Sequence, residues 1–296
     1  MKAEEAYILR KFNLHSNGSR CSKVMELKEE DIKADIEEFK DTLCSKKVRY
    51  NDFDGILKYR FIKGLNESLS RYGSIFEEDL SSIRNIYRGR KLKPEDSYFT
   101  KPEDFIPDWN NRMNPPGFLY LAFTPALKQI GDIYNAQMAC IEELRPLAGE
   151  RFSVAGFSPV KGGEKRLINL CRYDGFSYED MLKECGGDER LKDIKHIDSV
   201  IGFQKMYMGF LSETIFKSVD DNDKKQRDRE YSLTHAMSYY FQQKGYAGVI
   251  YKCTRMHDDS VRNLALFDMD DVECCCEYAH FKYCQGDGSV DMLSII

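Results

Sequence analysis

The sequence lacks the long apolar segments and signal patterns of membrane and secreted proteins. No apolar run approaches the roughly 18 residues that a membrane-spanning helix needs. The opening residues, MKAEEAYILRKF, contain no apolar core with a small-residue cleavage site, so no secretory signal is expected. Without such a signal, the ten cysteines are expected to be reduced thiols. These absences predict a cytoplasmic protein with no membrane partner.

Excess positive charge is also lacking. Lys and Arg number 44 against 49 Asp and Glu, which gives a formal net charge of −5. A surface of that sign repels phosphate backbones, so no nucleic-acid partner is expected. Hydrophobic residues make up 42% and charged residues 31% of the 296 residues. This balance excludes a disordered chain, and the length predicts one or two globular domains.

The common motifs of nucleotide binding and hydrolysis are absent as well. No P-loop, GxGxxG, HExxH or GxSxG pattern occurs in the sequence. The Gly-Gly pairs at 162–163 and 186–187 lack the strand, helix and Lys of a phosphate-binding loop. Both pairs are therefore predicted to be turns.

The sequence does contain an irregular series of helix and strand patterns. Apolar residues at helical spacing predict helices over residues 28–40, 53–72, 126–144, about 200–216 and 232–244. Short apolar segments predict strands over residues 83–90, 118–123, 150–157, 165–170, 248–253 and 263–268. The charged segment 220–231 is predicted to be a loop or an exposed helix start. Because helices and strands do not alternate as βαβ units, the predicted fold class is α+β, and residues 1–78 form a small helical segment before it.

Five short segments follow one another between residues 83 and 268. They are YRGR at 87–90, RMNPPG at 112–117 leading into FLYLA, EELRP at 142–146, the long segment 231–254 that ends in GYAGVIYKCT, and RNLALFD at 262–268. This ordered set resembles the RES-domain family, which is named for an Arg, a Glu and a Ser. Members of that family are often toxins of toxin–antitoxin pairs.

The resemblance implies an ADP-ribosyltransferase-like fold, a mixed β core with flanking helices, in an NAD-binding catalytic domain over residues 79–296. It implies NAD+ as the substrate and cleavage of its nicotinamide–ribose bond, with water or inorganic phosphate as the acceptor. Two alternatives stay open: transfer of ADP-ribose to a protein, and a catalytically weak scaffold that only binds. An antitoxin protein is the implied partner, and no metal cofactor is expected.

Three residues take the positions that name the family. Arg88 is the first arginine of the strand pattern R-x-R, and an arginine fork forms bidentate hydrogen bonds with a diphosphate. Glu143 lies in the helix-ending ELRP, where a carboxylate stabilises the positive charge that develops on the ribose. Asp132 is an alternative acid, because its distance in sequence from Tyr120 is nearer to the one expected for the family. Cys253 stands where the family has serine, and a thiol is a weaker hydrogen-bond donor than a hydroxyl.

Five further residues are candidates for substrate binding. Arg90 and Arg112 are additional cations for the phosphates, and Tyr120 and Tyr231 are aromatic rings that can stack on the cationic nicotinamide. Thr254 is a candidate for supplying the hydroxyl that the serine position lacks.

The cysteine-rich stretch CCCEYAHFKYC at 274–284 suggests a different chemistry. On a helix, Cys276, His280 and Cys284 would recur at i, i+4 and i+8 on one face and could bind zinc. The paired ligands of most structural zinc sites are absent, and incidental thiols are the competing interpretation. No metal is expected, and a zinc site at Cys276, His280 and Cys284 is kept as the alternative.

Overall fold

A computed structural model describes most of the chain. The described residues are 29–45, 47–72, 75–99, 101–105, 119–125, 131–187, 207–209, 211–212, 223–253, 255–256, 261–283 and 290–295. The helices in these ranges are α1 (Glu29–Cys44), α2 (Phe53–Ile56), α3 (Arg60–Tyr72), α4 (Gly131–Glu142), α5 (Tyr178–Gly186) and α6 (Lys224–Gln243). Among these helices, none is both long and apolar enough for a membrane crossing.

The strands form one mixed sheet. They are β1 (Glu77–Asp79), β2 (Ile86–Lys91), β3 (Leu119–Phe123), β4 (Arg151–Pro159), β5 (Arg166–Asn169), β6 (Gly248–Lys252), β7 (Arg262–Leu266), β8 (Val272–Tyr283) and β9 (Val290–Ile295). Their order across the sheet is β1-β5-β6-β7-β3-β2-β4-β8-β9. Only the pair β5–β6 is parallel among these neighbours. A mixed sheet with separate helices confirms the α+β class.

The chain divides into two compact units. The helical unit comprises residues 1–76, 171–215 and 219–239, and the sheet unit comprises residues 77–170, 216–218 and 240–296. The entire sheet and α4 belong to the sheet unit. Helices α1, α2, α3 and α5 and most of α6 belong to the helical unit.

Strands β2 and β3 stay paired over a short distance only. Ile86 pairs with Phe123 and Tyr87 with Ala122, and no further pair joins these two strands. Beyond that point β2 continues to pair with β4 as far as Lys91, and β3 continues to pair with β7. The two strands therefore separate in the middle of the sheet.

Helix α4 covers one face of the sheet. It contributes buried Ala136, Ala139 and Cys140 to a core that contains Tyr87 and Phe152. Gly89 of β2 permits this close packing, because a Cβ atom at its position would lie 3.0 Å from both Cβ and the carbonyl oxygen of Cys140.

The helical unit bears out part of the sequence prediction. The amphipathic helix expected over residues 28–40 is α1, which buries Ile32, Ile36 and Phe39. The single helix predicted over 53–72 is interrupted between α2 and α3. Asp35 explains the new start, because its carboxylate accepts a hydrogen bond from the N–H of Phe61 at 2.8 Å and so caps α3.

Several boundaries differ from the sequence prediction. Helix α6 begins at Lys224, inside the charged segment, because a helix with an exposed face accommodates charges. The helical geometry considered for the cysteine-rich stretch is wrong, since β8 occupies it and pairs with β4 and β9. The short strands β1 and β9 and helix α5 were not predicted. The helix predicted near 200–216 is confirmed at residues 207–209 and 211–212, which are helical. Its other residues, and the start of the helix predicted over 126–144, lie outside the described residues.

Candidate active site

Glu143 lies immediately after the last residue of α4. Its N–H still donates to the carbonyl of Ala139 at 3.0 Å, so its position continues the helix. Arg145 then adopts a left-handed backbone with φ of 53°, which ends the helix. The Glu143 side chain is exposed as a whole. The end of α4 thus holds a carboxylate at the surface of the sheet unit.

Two buried side chains hold one oxygen of this carboxylate. Asn263 Nδ2 donates to Glu143 Oε1 at 2.7 Å, and the Cys253 thiol donates to the same oxygen at 3.6 Å. Asn263 and Cys253 are 3% and 1% exposed. They are neighbours because Tyr251 and Lys252 of β6 pair with Asn263 and the preceding residue of β7. The sheet therefore brings together residues that lie 110 and 120 positions from Glu143.

The Cys253 thiol is a hydrogen-bond donor at neutral pH. Burial, followed by the negative charge of Glu143, raises its pKa from 9.0 to about 11. The backbone N–H groups of Arg255 and Met256 point at its sulfur and act in the opposite direction. A thiol that keeps its proton is a weak nucleophile and serves here to orient the carboxylate.

Asn263 also contacts Tyr251 across the β6–β7 pair. Burial raises the pKa of the Tyr251 phenol well above 10, Glu143 contributes to the rise, and a hydrogen bond with Asn263 opposes it. Asn263 thus joins the carboxylate to the phenol. Asn263 was not among the site residues predicted from the sequence, although a polar side chain inside the apolar segment RNLALFD is a signal for a buried hydrogen bond.

Arg88 is a buried cation at the point where β2 and β3 separate. Its side chain is 7% exposed, and its Nη1 donates to the carbonyl oxygen of Tyr120 at 2.8 Å. Within the described ranges, no carboxylate forms an ion pair with it and its Nε has no hydrogen-bond partner. Burial, and then the charge of Arg90, lowers its pKa to about 10. A buried cation of this kind is stabilised when an anion binds beside it.

Arg88 and Glu143 do not touch each other. The register pairs Arg88 with Ala155, so its side chain leaves the sheet on the face opposite Tyr87 and α4. Its guanidinium reaches the opening beside β3 through the contact with Tyr120. Cys140 interacts electrostatically with both Arg88 and Cys253. Burial raises the pKa of the Cys140 thiol to about 12.

The remaining predicted residues occupy different places. Arg90 is half-buried on the same face as Arg88, and the Tyr120 side chain is half-buried beside the opening. Tyr231 lies inside α6 in the helical unit, whereas the predicted helix over 232–244 would begin directly after it. Asp132 is buried in the first turn of α4, at the other end from Glu143. Arg112 and Thr254 lie outside the described residues.

The zinc alternative does not fit the strand. Cys276 and His280 lie on β8 and lack the helical spacing that the alternative requires, and Cys284 lies outside the described residues. His280 already contacts the carbonyl of Phe99 through Nε2 at 3.2 Å and stacks on Tyr98 at 4.5 Å. In the described part of the chain, no group of three His, Cys, Asp or Glu residues can hold a metal ion.

The site thus combines a carboxylate, a protonated thiol and a phenol on the α4 face of the sheet, and the buried guanidinium of Arg88 lies beside Tyr120 where β2 and β3 separate. These groups can stabilise a developing positive charge at one end and bind an anion at the other. No model of a known protein family, no curated protein and no solved structure matches the chain.

Proposed function

We propose that the protein cleaves the nicotinamide–ribose bond of NAD+, with water or inorganic phosphate as the acceptor. The observation that carries this proposal is the contact of Glu143 with Asn263 and Cys253. Both contacts end on Oε1, and none of the described residues donates a hydrogen bond to Oε2. A carboxylate held in this way stabilises the positive charge that develops on the ribose.

Asn263 and Cys253 act as positioning residues in this proposal. Because both are buried, with Asn263 on β7 and Cys253 directly after the adjacent β6, they fix the carboxylate before substrate arrives. A preorganised group needs little rearrangement during the reaction, which makes its charge more effective than that of a solvated glutamate.

Arg88 supports the same substrate class. A buried guanidinium that has no carboxylate partner among the described residues gains from an anionic ligand, and the diphosphate of NAD+ supplies negative charge and bidentate acceptors. The opening between β2 and β3 is the proposed path of the dinucleotide from Arg88 to Glu143. An ADP-ribosyltransferase-like arrangement of the sheet is part of this proposal.

The test is nicotinamide release from NAD+, measured with and without phosphate. We expect Glu143→Gln to reduce kcat by about 100-fold or more, because it removes the charge and keeps the size of the side chain. Glu142→Gln is the matched control, since Glu142 precedes Glu143 in sequence and interacts with Arg255 instead. Equal rates for the wild type and Glu143→Gln, or no nicotinamide release by the wild type, would contradict the proposal.

The acceptor distinguishes the two enzymatic versions of the proposal. If a protein accepts the ADP-ribose, NAD+ labelled in its adenine ring will label a macromolecule in a mixture that contains the target. If water or phosphate is the acceptor, all label stays in small products. An antitoxin partner is a further part of the proposal that follows from the resemblance.

Cys253 favours a second candidate, a scaffold that binds NAD+ with little turnover. A thiol with a pKa of about 11 donates weakly compared with the serine hydroxyl of the family. This candidate predicts NAD+ binding by calorimetry without nicotinamide release, and no recovery of turnover in Cys253→Ser.

A further inference from the structure

Three consecutive cysteines lie in an irregular part of β8, far along the sheet from Glu143. The register of β4 and β8 shifts there: Ala155 pairs with Tyr278, and Phe157 pairs with Cys274. An advance of two residues on β4 thus corresponds to four on β8, which identifies a bulge. Cys276 lies in the bulge with a left-handed φ of 56°. We call Cys274, Cys275 and Cys276 the thiol cluster.

Cys274 and Cys276 contact each other's backbone. The N–H of Cys276 donates to the sulfur of Cys274, and the thiol of Cys276 donates to the carbonyl of Cys274 at 3.9 Å. The Cys274 thiol also donates to the hydroxyl of Tyr278 at 3.9 Å, and Cys276 interacts with the same phenol. The two sulfurs therefore converge on one phenol.

Cys275 lies apart from this pair. Its sulfur is 2.9 Å from Ser158 Oγ on the neighbouring strand. Side chains alternate along a strand, so the middle cysteine of three differs in direction from the other two. Cys275 therefore offers an internal comparison for any property that belongs to Cys274 and Cys276.

The backbone distance permits a bond between the outer two sulfurs. Cα atoms two positions apart in a regular strand are about 6.6–6.8 Å apart, and disulfides span about 4.4–6.8 Å. A bulge shortens the advance per residue and brings the two Cα atoms nearer. The thiols also differ in access, because Cys276 is exposed while Cys274 is partly buried and packs against the aromatic cluster of Phe105 and Tyr278.

We propose that Cys274 and Cys276 form a reversible disulfide when a peroxide reaches them. The Cys276 thiol gives up its proton and its sulfur attacks one peroxide oxygen; the O–O bond breaks, and the displaced hydroxide takes up that proton and leaves as water while Cys276 becomes a sulfenic acid. The Cys274 thiol then loses its proton and attacks that sulfur, and the displaced hydroxide takes up the proton as a second water. The two thiols together lose two electrons and two protons, and hydrogen peroxide is reduced to two waters. The assignment is independent of NAD+ cleavage.

Mass spectrometry of the full chain after hydrogen peroxide treatment and alkylation tests the proposal. We expect the peptide that contains the thiol cluster to lose about 2 Da relative to its two free thiols and to take up one alkyl group where the reduced peptide takes up three; dithiothreitol before alkylation should restore the mass of the reduced peptide. Cys275→Ser should retain the loss, whereas Cys274→Ser and Cys276→Ser should abolish it. In Cys274→Ser, a dimedone adduct should accumulate on Cys276, because its partner is absent.

Three results would overturn the assignment: no loss of mass in the wild type, loss that persists in Cys274→Ser or Cys276→Ser, or loss that disappears in Cys275→Ser. A disulfide between two chains, seen on a non-reducing gel and absent in Cys276→Ser, would overturn it equally. Circular dichroism of each variant establishes that the serine substitutions leave the fold intact.

Discussion

Cys253 shows how one side chain can tie the stability of the fold to the state of the site. Its sulfur lies in the core beside α4 and also donates to the Glu143 carboxylate. Loss of the thiol proton would place a buried negative charge next to that carboxylate. Because both burial and Glu143 oppose this charge, the folded state prefers the neutral thiol.

We expect Cys253→Ser to weaken the alkaline destabilisation of the protein. The pKa of Cys253 is raised in the folded state to about 11 from 9.0, so its stabilising contribution is complete below pH 9 and is lost as the pH rises through 11. The wild type should therefore lose about 2 kcal/mol more of its unfolding free energy than Cys253→Ser between pH 8 and 11.

Urea unfolding at a series of pH values measures this difference. Cys140 and the buried tyrosines titrate in both proteins, so their contributions cancel in the comparison. An identical fall of unfolding free energy with pH in the two proteins would contradict the stated cause.

At this scale the sequence identified some groups of the site and missed others. Glu143 and Cys253 were predicted from the order of short segments, and they do contact each other. Asn263 was missed because its partner lies 120 positions away, and only the pairing of β6 with β7 places it there. The alternation of side chains along β2 indicates on which face of the sheet the Arg88 side chain lies. No local sequence pattern shows that β2 and β3 separate beside it.

Among the secondary-structure elements, α4 links the sheet to the catalytic proposal. It packs across β2 at Gly89 and carries Glu143 directly after its last turn. A shift of this helix would move the carboxylate away from Asn263 and Cys253. The spacing between α4 and β2 therefore controls both stability and the geometry of the site.

Gly89→Ala tests this coupling. The added Cβ would lie 3.0 Å from Cys140, including its carbonyl oxygen, so the helix must shift. We expect a loss of about 1–3 kcal/mol in unfolding free energy and a reduced rate of nicotinamide release.

The matched control is Gly156→Ala on β4, where the new Cβ would lie 3.7 Å or more from its neighbours. It should change the unfolding free energy by less than about 1 kcal/mol and leave the rate unchanged. Comparable losses in both variants would show that alanine in these strands, and not the approach of α4, causes the effect. Urea unfolding and the nicotinamide assay provide both measurements.

Elements with a clear apolar period were predictable, and elements formed by distant pairing were not. The strands over 118–123, 165–170 and 248–253 were located from their apolar residues alone. The cysteines of β8 carry no such period, so its strand follows from pairing with β4 on one side and β9 on the other. The first turns of α6 were not predicted either, because the charged residues 224–231 show no apolar period.

On the scale of the whole molecule, chain segments far apart in sequence build the helical unit. Residues 1–76 group with 171–215 and 219–239, so α1 and α6 belong to the same unit. Lys40 of α1 pairs with Glu230 of α6 at 2.7 Å, and Arg229 of α6 pairs with Glu37 and Asp41 of α1. The amphipathic patterns predicted both helices, but helix patterns contain no signal for which helices pack together.

These two cations should differ in their effect on stability. Lys40 is 3% exposed, so Lys40→Met leaves Glu230 partly buried without its nearest cation, and we expect a loss of about 3 kcal/mol. Arg229 lies nearest Glu37 and Asp41, which are 53% and 68% exposed, and reaches Glu230 only at 3.5 Å, so Arg229→Gln should cost about 1 kcal/mol or less. Urea unfolding at low and high salt measures both. High salt should reduce the loss of unfolding free energy in Arg229→Gln and leave the loss in Lys40→Met unchanged, because water and ions screen only the exposed pairs. Equal losses in the two variants would mean that burial does not set the strength of these ion pairs.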